Sequence, residues 1–238
     1  MSAIMQMVTN TTTPYSFVTN GALLYVDAGN SSSYSGSGTA WNDLSTNTNN
    51  YTLVNSPPFT SAGTASYFSF NGTGNQYAAC NSNAKFNQAY TGKTIFVAAR
   101  ITTGSFLTGT FRCMFGTNSG ARNFNTYIYF TGSVFQIHYS AGGAGGFSNN
   151  LPLTTNQWFI IAVTQTTGGL VTYYFNGQPA GTNTGITFAQ YSSNGGDFVA
   201  LGDNYWYGDL PVCAIYNRAL SNGEITQNFN SIRSRYNI

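Results

Sequence analysis

Apolar side chains recur at every second position along most of this chain. In the segment TIFVAARI, Ile95, Val97 and Ile101 share one side, whereas Arg100 lies on the other. In VFQIHYS, His138 alternates with apolar neighbours in the same way. A period of two is typical of a strand with one buried face, and about a dozen such short runs are bounded by Gly, Asn, Ser or Thr. The pattern predicts an antiparallel β-sandwich or barrel.

Two Asn-Gly pairs follow aromatic strand ends, at Asn71-Gly72 and at Asn176-Gly177. Both residue types tolerate the positive φ angles of a tight hairpin turn. We therefore predict two hairpins, of which LVTYYF-NG-QPAG has the clearer flanking strands.

One helix is predicted, at the end of the chain, where LSNGEITQNF contains the only glutamate. Ser221 and Glu224 have the spacing of a capping box, and Leu220 and Ile225 are placed as a hydrophobic staple. An apolar face follows at helical spacing, with basic residues in the predicted last turn. These positions are Ile225, Phe229, Ile232 and Tyr236 for the face, and Arg233 and Arg235 for the turn. Glu224 is thus interpreted as part of a helix cap.

The composition fits one domain over residues 21–238, preceded by a polar arm or edge strand over residues 1–20. Charged residues make up 6% of the chain and the net charge is +2, so no basic surface for nucleic acid is expected. No stretch is long and apolar enough for a membrane span, and the start has no Lys or Arg, unlike a secretory signal. We therefore expect a protein that is made in the host cytoplasm without a signal peptide. Its charge-poor composition is nevertheless typical of a protein exposed outside the cell. The two expectations together suggest a virion component.

Catalysis is not expected. Glycoside hydrolysis needs two carboxylates, and with Glu224 assigned to the cap no two of the five aspartates share the face of one strand. His138 is the only histidine and is interpreted as a surface or sheet-packed residue, and no G-x-S-x-G is present. Three well-separated cysteines, Cys80, Cys113 and Cys213, are expected to be free thiols.

Two kinds of binding site remain open. Calcium prefers oxygen ligands, although Asp and Asn also start turns; the candidate ligands are Asp27, Asn30, Asp203 and Asp209. Sugars stack on aromatic rings beside amide groups; the candidates are Tyr205, Trp206, Tyr207 and Asn204 in one predicted loop, and Tyr34 and Trp41 in an earlier one. The tryptophans can instead close the end of the sandwich.

Several segments, in order along the chain, resemble the laminin-G-like, concanavalin A-like superfamily. They include a W-x-D-L-S turn, YFSFNG, TTNQWFIIAV, VTYYFNGQPAG and IYNRALSNGEI, and together they cover roughly residues 21–238. The resemblance implies an all-β fold: a two-sheet antiparallel jelly-roll sandwich with one short C-terminal helix. The E-x-D-x-E motif of the glucanase branch is absent.

The resemblance is nearest to copies found in phages and large viruses. It implies a non-enzymatic virion structural protein, such as a capsid decoration, minor capsid or tail surface component. Its expected partners are coat or tail proteins, a host-surface glycan and further copies of itself. The alternatives are a carbohydrate-binding lectin or receptor-binding module, and a degenerate glycosidase.

Overall fold

A computed structural model of the protein describes residues 16–72, 76–80, 91–102, 109–117, 125–141, 144–186, 199–201 and 206–238. Within these residues the chain forms sixteen strands, one α-helix and one 3-10 helix. In chain order the strands are β1 (Ala22–Asp27), β2 (Ala40–Trp41), β3 (Tyr51–Val54), β4 (Phe59–Thr60), β5 (Tyr67–Asn71), β6 (Tyr77–Cys80), β7 (Gly92–Ile101), β8 (Thr110–Thr117), β9 (Asn125–Phe130), β10 (Phe135–Ala141), β11 (Ala144–Phe147), β12 (Trp158–Thr166), β13 (Val171–Phe175), β14 (Gln178–Asn183), β15 (Val199–Leu201) and β16 (Tyr207–Tyr216). Helix α1 (Asn222–Ile232) runs into the 3-10 helix (Arg233–Tyr236).

The strands form two eight-stranded sheets. Sheet I has the order β14-β13-β12-β7-β16-β5-β4, and β1 also pairs with β16. Sheet II has the order β11-β10-β9-β8-β15-β6-β3-β2. Every pairing between these strands is antiparallel. The predicted fold class, a two-sheet antiparallel sandwich with a short C-terminal helix, is therefore confirmed.

The central strands of sheet I, β12, β7 and β16, are buried on both faces. In β7, Ile95 and Val97 point into the core between the sheets, whereas Phe96 and Ala98 point into a second apolar cluster on the outer side. β10 of sheet II differs, because its buried and half-exposed positions alternate strictly. The predicted alternation of a buried and a more exposed face thus holds in β10 of sheet II, whereas β7 of sheet I is buried at almost every position and needs a second cover.

Helix α1 provides that cover. Ile225, Phe229 and Ile232 are buried against the outer face of sheet I, where they meet Ile160 and Tyr216. Burying an aliphatic or aromatic side chain of this size contributes about 1.5–3 kcal/mol relative to exposure. No helix within the described part of the chain is long and apolar enough to cross a membrane.

The capping box that the sequence predicts is present. The Glu224 amide donates to Ser221 Oγ at 3.3 Å, and the Ser221 amide donates to Glu224 Oε2 at 2.9 Å. Leu220 and Ile225 are both buried in the outer cluster. Arg218 adds a bidentate ion pair with Glu224, at 2.6 and 2.9 Å, and hydrogen bonds from its guanidinium lower the pKa of Glu224 to about 2. Glu224 is therefore a structural residue.

The predicted basic last turn needs correction. α1 has no basic residue in its last turn, because the helix tightens to 3-10 geometry at Arg233. Arg235 then turns toward β1 and forms a bidentate pair with Asp27, at 2.7 and 3.0 Å. A buried carboxylate on the sheet, and not the helix dipole, determines where this arginine lies.

A buried asparagine joins the start of the described chain to the helix. Asn228 Oδ1 accepts from the Val18 amide at 2.7 Å, and its Nδ2 donates to the Tyr216 hydroxyl at 2.9 Å. That hydroxyl donates in turn to the Val18 carbonyl at 2.8 Å, and Phe17 stacks on Tyr25 with ring centroids 4.2 Å apart. Residues 16–20 of the predicted arm therefore pack against the domain, and residues 1–15 lie outside the described residues.

Only one of the two predicted hairpins forms. Asn176 and Gly177 have φ angles of 47° and 76° and connect β13 to β14, as predicted. Asn71-Gly72 does not make a hairpin, because β5 belongs to sheet I and β6 to sheet II. Asn71-Gly72 instead lies where the chain leaves sheet I before it enters sheet II.

The three cysteines are buried thiols, as predicted. Cys213 lies on β16 in the core between the sheets, and burial raises the pKa of its thiol. Such a thiol is unreactive, which agrees with a packing role.

The capping box yields a stability prediction. Ser221→Ala removes the acceptor of the Glu224 amide, so we expect the free energy of unfolding to fall by about 1 kcal/mol. Urea unfolding followed by circular dichroism measures this change. Ser234→Ala, at an exposed position of the 3-10 helix, is the control and should leave the midpoint unchanged. An unchanged midpoint for Ser221→Ala would show that the cap is not needed.

Candidate functional site

A group of aromatic side chains lies on the outer face of sheet II. We call it the aromatic surface, and its members are Phe111 of β8, Tyr127 and Tyr129 of β9, His138 of β10 and Phe147 of β11. The strand register brings them together: Phe111 lies opposite Tyr129, His138 opposite Tyr127, and Phe147 opposite His138. Four adjacent strands therefore contribute to one continuous ring cluster.

The rings of the aromatic surface contact one another. Phe111 and Tyr129 have centroids 4.5 Å apart, and His138 and Phe147 also lie 4.5 Å apart. Phe111 and His138 meet edge to face at 5.0 Å. Such pairs contribute about 0.5–1.5 kcal/mol beyond their buried area. The rings thus hold one another in place, while Phe111 and Phe147 each remain 39% exposed.

His138 is at the centre of the aromatic surface and acts as a neutral aromatic ring. Burial lowers its pKa from 6.5 to about 4. Its Nδ1 atom is buried and has no hydrogen-bond partner in the described chain. Its Nε2 atom lies over Gly145, where a Cβ would come within 2.8 Å. Glycine in β11 therefore allows the imidazole to lie close to the neighbouring strand.

The sequence interpretation missed this surface, although it carries a recognisable signal. In the segment NTYIYF, Tyr127 and Tyr129 flank Ile128, which faces the core. Alternation assigns the two tyrosines to the solvent side, where polar residues are usual. Aromatic residues that repeat on the solvent side of adjacent strands are thus the pattern that predicts such a surface.

The structure corrects three of the six predicted sugar contacts. Trp41 and Trp206 are completely buried and Tyr34 is 6% exposed, all within the core between the sheets. Trp41 packs on Phe68 with ring centroids 4.8 Å apart. These rings are enclosed in that core, so they offer no free face to a sugar. Of the other candidates, Tyr207 is 37% exposed on the first residue of β16, and Asn204 and Tyr205 lie outside the described residues.

Three of the four predicted calcium ligands bind other partners within the protein. Asp27 binds Arg235, as described above, and also accepts from the Gly29 amide at 2.9 Å. Asp209 pairs with Arg100 at 2.7 Å and accepts from the Ser69 hydroxyl. Asn30 Oδ1 accepts from the Ser32 amide in a turn, and Asp203 lies outside the described residues. In the described part of the chain no three His, Cys, Asp or Glu side chains cluster as metal ligands.

Asp43 of the W-x-D-L-S turn also has a structural role. Its Oδ1 accepts from the amides of Tyr25 and Ser45, and its Oδ2 accepts from the Asn49 amide at 2.9 Å. The carboxylate therefore attaches the turn to β1. Together with Asp27, Asp209 and Glu224, every Asp and Glu side chain in the described residues has protein partners, and no two of these carboxylates form a paired site.

The low pKa of His138 predicts its titration behaviour. Because His138 is the only histidine, its imidazole signals in NMR are assigned without ambiguity. We expect them to stay constant from pH 8 to about 5 and to move only near pH 4. Unfolding restores the ordinary pKa of 6.5, so protonation favours the unfolded chain, and stability should fall as the pH drops from 6.5 toward 4. His138→Phe should remove that dependence, and a midpoint near 6.5 in the native protein would contradict the burial.

Comparison with known proteins identifies the fold independently. The structure is similar to domain 4 of AbnA, a GH43 extracellular arabinanase from Geobacillus stearothermophilus, in complex with arabinotriose, with a TM-score of 0.63 and 16% identity over 87% of this chain and 97% of that one. It is also similar to the binding domain of botulinum neurotoxin DC in complex with SialylT, with a TM-score of 0.68 and 13% identity over 90% of this chain and 52% of that one. The binding domain of Paraclostridial Mosquitocidal Protein 1 gives a TM-score of 0.65 and 16% identity over 90% and 52%.

The chain therefore spans about half the length of the two toxin binding domains. Identities this low show a common fold and leave function open. No curated protein matches the sequence. A family model does match, over residues 71–226, from β5 to the first turns of α1. By that match the chain belongs to the Laminin_G_3 family of the concanavalin A-like lectin/glucanases superfamily.

Proposed function

We propose that this protein is a non-catalytic, sugar-binding protein that uses the aromatic surface of sheet II. The observation that carries the proposal is the pair of exposed phenylalanines, Phe111 and Phe147, on a sheet face that no described helix covers. Exposed apolar side chains that are grouped mark binding sites more often than single ones do. Aromatic rings on a flat sheet face suit the apolar faces of sugar rings.

The charge of the aromatic surface favours a neutral sugar. None of its five members is charged at neutral pH, because burial keeps His138 unprotonated. The hydrogen-bonding groups beside it are the tyrosine hydroxyls and the amide of Gln136, which lies opposite Tyr129 and donates to the Ser148 carbonyl at 3.2 Å. Hydroxyls and amides can bond sugar hydroxyls without taking up a charge. We therefore expect binding that salt hardly weakens.

Two further observations support a binding role without catalysis. Domain 4 of AbnA, which is covered almost completely by this chain, was solved with arabinotriose. The described carboxylates are all engaged with arginines, backbone amides or hydroxyls, as at Asp209, whereas glycoside hydrolysis needs a free pair. A lectin-like role is thus favoured over a degenerate glycosidase.

Truncation of the two exposed phenylalanines tests the proposal. A glycan array first identifies the bound sugar, and calorimetry then compares the variants. We expect Phe111→Ala and Phe147→Ala each to weaken binding by about tenfold, because each removes a stacking face. Neither change should affect the fold strongly, since both side chains are 39% exposed.

Leu170→Ala is the matched control, because Leu170 is 41% exposed but lies outside the aromatic surface. It should leave the affinity unchanged. Sugar binding that persists in the double variant Phe111→Ala, Phe147→Ala would assign the ligand to another surface. An array without any bound glycan would reject the proposed function itself.

We also propose that the protein acts on the surface of a virus particle, bound to coat or tail proteins. The supports are the charge-poor composition, with 6% charged residues, and the resemblance to virion proteins. The chain enters the domain on the outer side of sheet I, where Phe17 and Val18 pack, and the aromatic surface lies on the outer side of sheet II. Attachment through residues 1–15 would therefore leave the aromatic surface free to face outward.

Removal of residues 1–15 tests the attachment. The truncated protein should keep its melting temperature, because the hydrogen bonds of Val18 and the stacking of Phe17 are retained. We expect it to be lost from purified particles, as judged by mass spectrometry, whereas full-length Phe111→Ala should still be incorporated. Normal incorporation of the truncated protein would rule out the arm as the attachment.

A further inference from the structure

A cavity of about 360 Å³ lies at one end of sheet I. Its walls come from the segment that leads into β12, from the end of β13, and from the C-terminal 3-10 helix. Binding pockets for small ligands typically begin at about 300 Å³. The volume is therefore sufficient for a single small molecule.

Hydrogen bonds hold two of these walls in place. The Asn156 amide donates to the Ile101 carbonyl at 2.6 Å, which fixes the turn before β12. Asn176 is bonded twice to Ile160: its amide donates to the Ile160 carbonyl at 2.8 Å, and its Oδ1 accepts from the Ile160 amide at 2.9 Å. The side-chain amide of Asn176 is thus oriented before any ligand arrives.

The third wall is held by the ion pair of Arg235 with Asp27. Tyr236, which follows Arg235, packs on Trp158 with ring centroids 4.9 Å apart. Asn237 ends the 3-10 helix in a left-handed conformation, with a φ angle of 56°. The aromatic and amide groups around the cavity therefore belong to rigid elements, which lowers the entropy cost of binding.

The side chains that line the cavity suit an uncharged ligand with many oxygen atoms. No side chain of the lining carries a charge. Asn176 uses its Oδ1 for Ile160, and Gln157 uses its Oε1 for the Thr154 hydroxyl. Their NH₂ groups are the part of each amide left for a ligand, and NH₂ groups only donate. Hydroxyl and ring oxygens of a sugar are suitable acceptors.

We propose that this cavity is a second binding site, for a single neutral sugar ring. It is independent of the aromatic surface, since the two share no residue. A charged sugar should bind less well, because a carboxylate would lose its hydration without meeting a cationic side chain. The cavity would thus recognise one ring, whereas the aromatic surface offers several stacked side chains to a chain of sugars.

The protein contains a separate spectroscopic reporter for each site. Of its three tryptophans, Trp41 and Trp206 are fully buried, and Trp158 is half-buried in the wall of the cavity. A change in tryptophan fluorescence therefore reports on the cavity. The aromatic surface contains no tryptophan, and its ligand would instead change the NMR signals of His138.

Fluorescence titration with galactose, glucose, arabinose and N-acetylglucosamine tests the proposal. At least one should change the emission at about 10 mM, which corresponds to weak millimolar affinity. Galacturonate should bind more weakly than galactose. Comparison of arabinose with arabinotriose tells whether the ring is bound free or at the end of a chain. No response to any of the four sugars would overturn the proposal.

Two isosteric variants locate the binding. Asn176→Asp and Gln157→Glu keep the oxygen that accepts from Ile160 or Thr154 and replace only the donor group. Asp is also tolerated at the φ angle of 47° of Asn176. Each should weaken the fluorescence response by about tenfold while leaving His138 and binding at the aromatic surface unchanged.

Gln178→Glu is the control, because Gln178 is exposed on β14 and lies outside the lining of the cavity. The substitution adds the same negative charge as the other two variants. It should bind the sugar as the native protein does. Equal affinity in Asn176→Asp, with an unchanged melting temperature, would place the ligand elsewhere and contradict the second site. That result would not contradict sugar binding at the aromatic surface, because this binding is tested separately with the variants of Phe111 and Phe147.

Discussion

Burial of both faces of sheet I is the constraint on which the rest of the structure depends. Phe96 and Ile160 point away from the core between the sheets and would be exposed without a further layer. Helix α1 supplies that layer, and three polar contacts keep it there: the capping box, Asn228 and the pair of Arg235 with Asp27. Charged and polar groups in this region are therefore used to position an apolar cover, and they are not available for chemistry.

The cover makes the two sheets unequal, and this inequality determines where binding can occur. The central strands of sheet I are covered by α1 on one side and by sheet II on the other, so neither of their faces is open to a ligand. Sheet II packs through one face, and its outer face can carry side chains selected for a ligand. The ring cluster around His138 lies on that outer face, and the amide-lined cavity lies at an end of sheet I. Both proposed sites thus follow from which surfaces the packing leaves open.

Local patterns in the sequence predicted what depends on local physics. The alternation of apolar and polar residues predicted the strands, and the spacing of Ser221 and Glu224 predicted the start of the helix. Asn176-Gly177 predicted a hairpin. The predictions failed where the answer depends on distant partners. An exposed and a buried tryptophan look alike in a loop, and Trp206 is enclosed by residues far away in the chain. From the sequence alone, Asp27 is a candidate metal ligand. In the fold its carboxylate pairs with Arg235, which lies 208 positions later in the chain.

Internal pairing of the charges also explains the kind of recognition this surface can support. Arg100, Arg218 and Arg235 each pair with a carboxylate, and Arg100 further lies over the rings of Tyr67 and Trp158 at 5.0 and 4.5 Å. Charges that are neutralised within the fold create little long-range attraction for a charged partner. Affinity must then come from short-range stacking and hydrogen bonds, which act only when shapes match. A rigid aromatic face suits this requirement, because rings that already contact one another lose little freedom when a sugar binds.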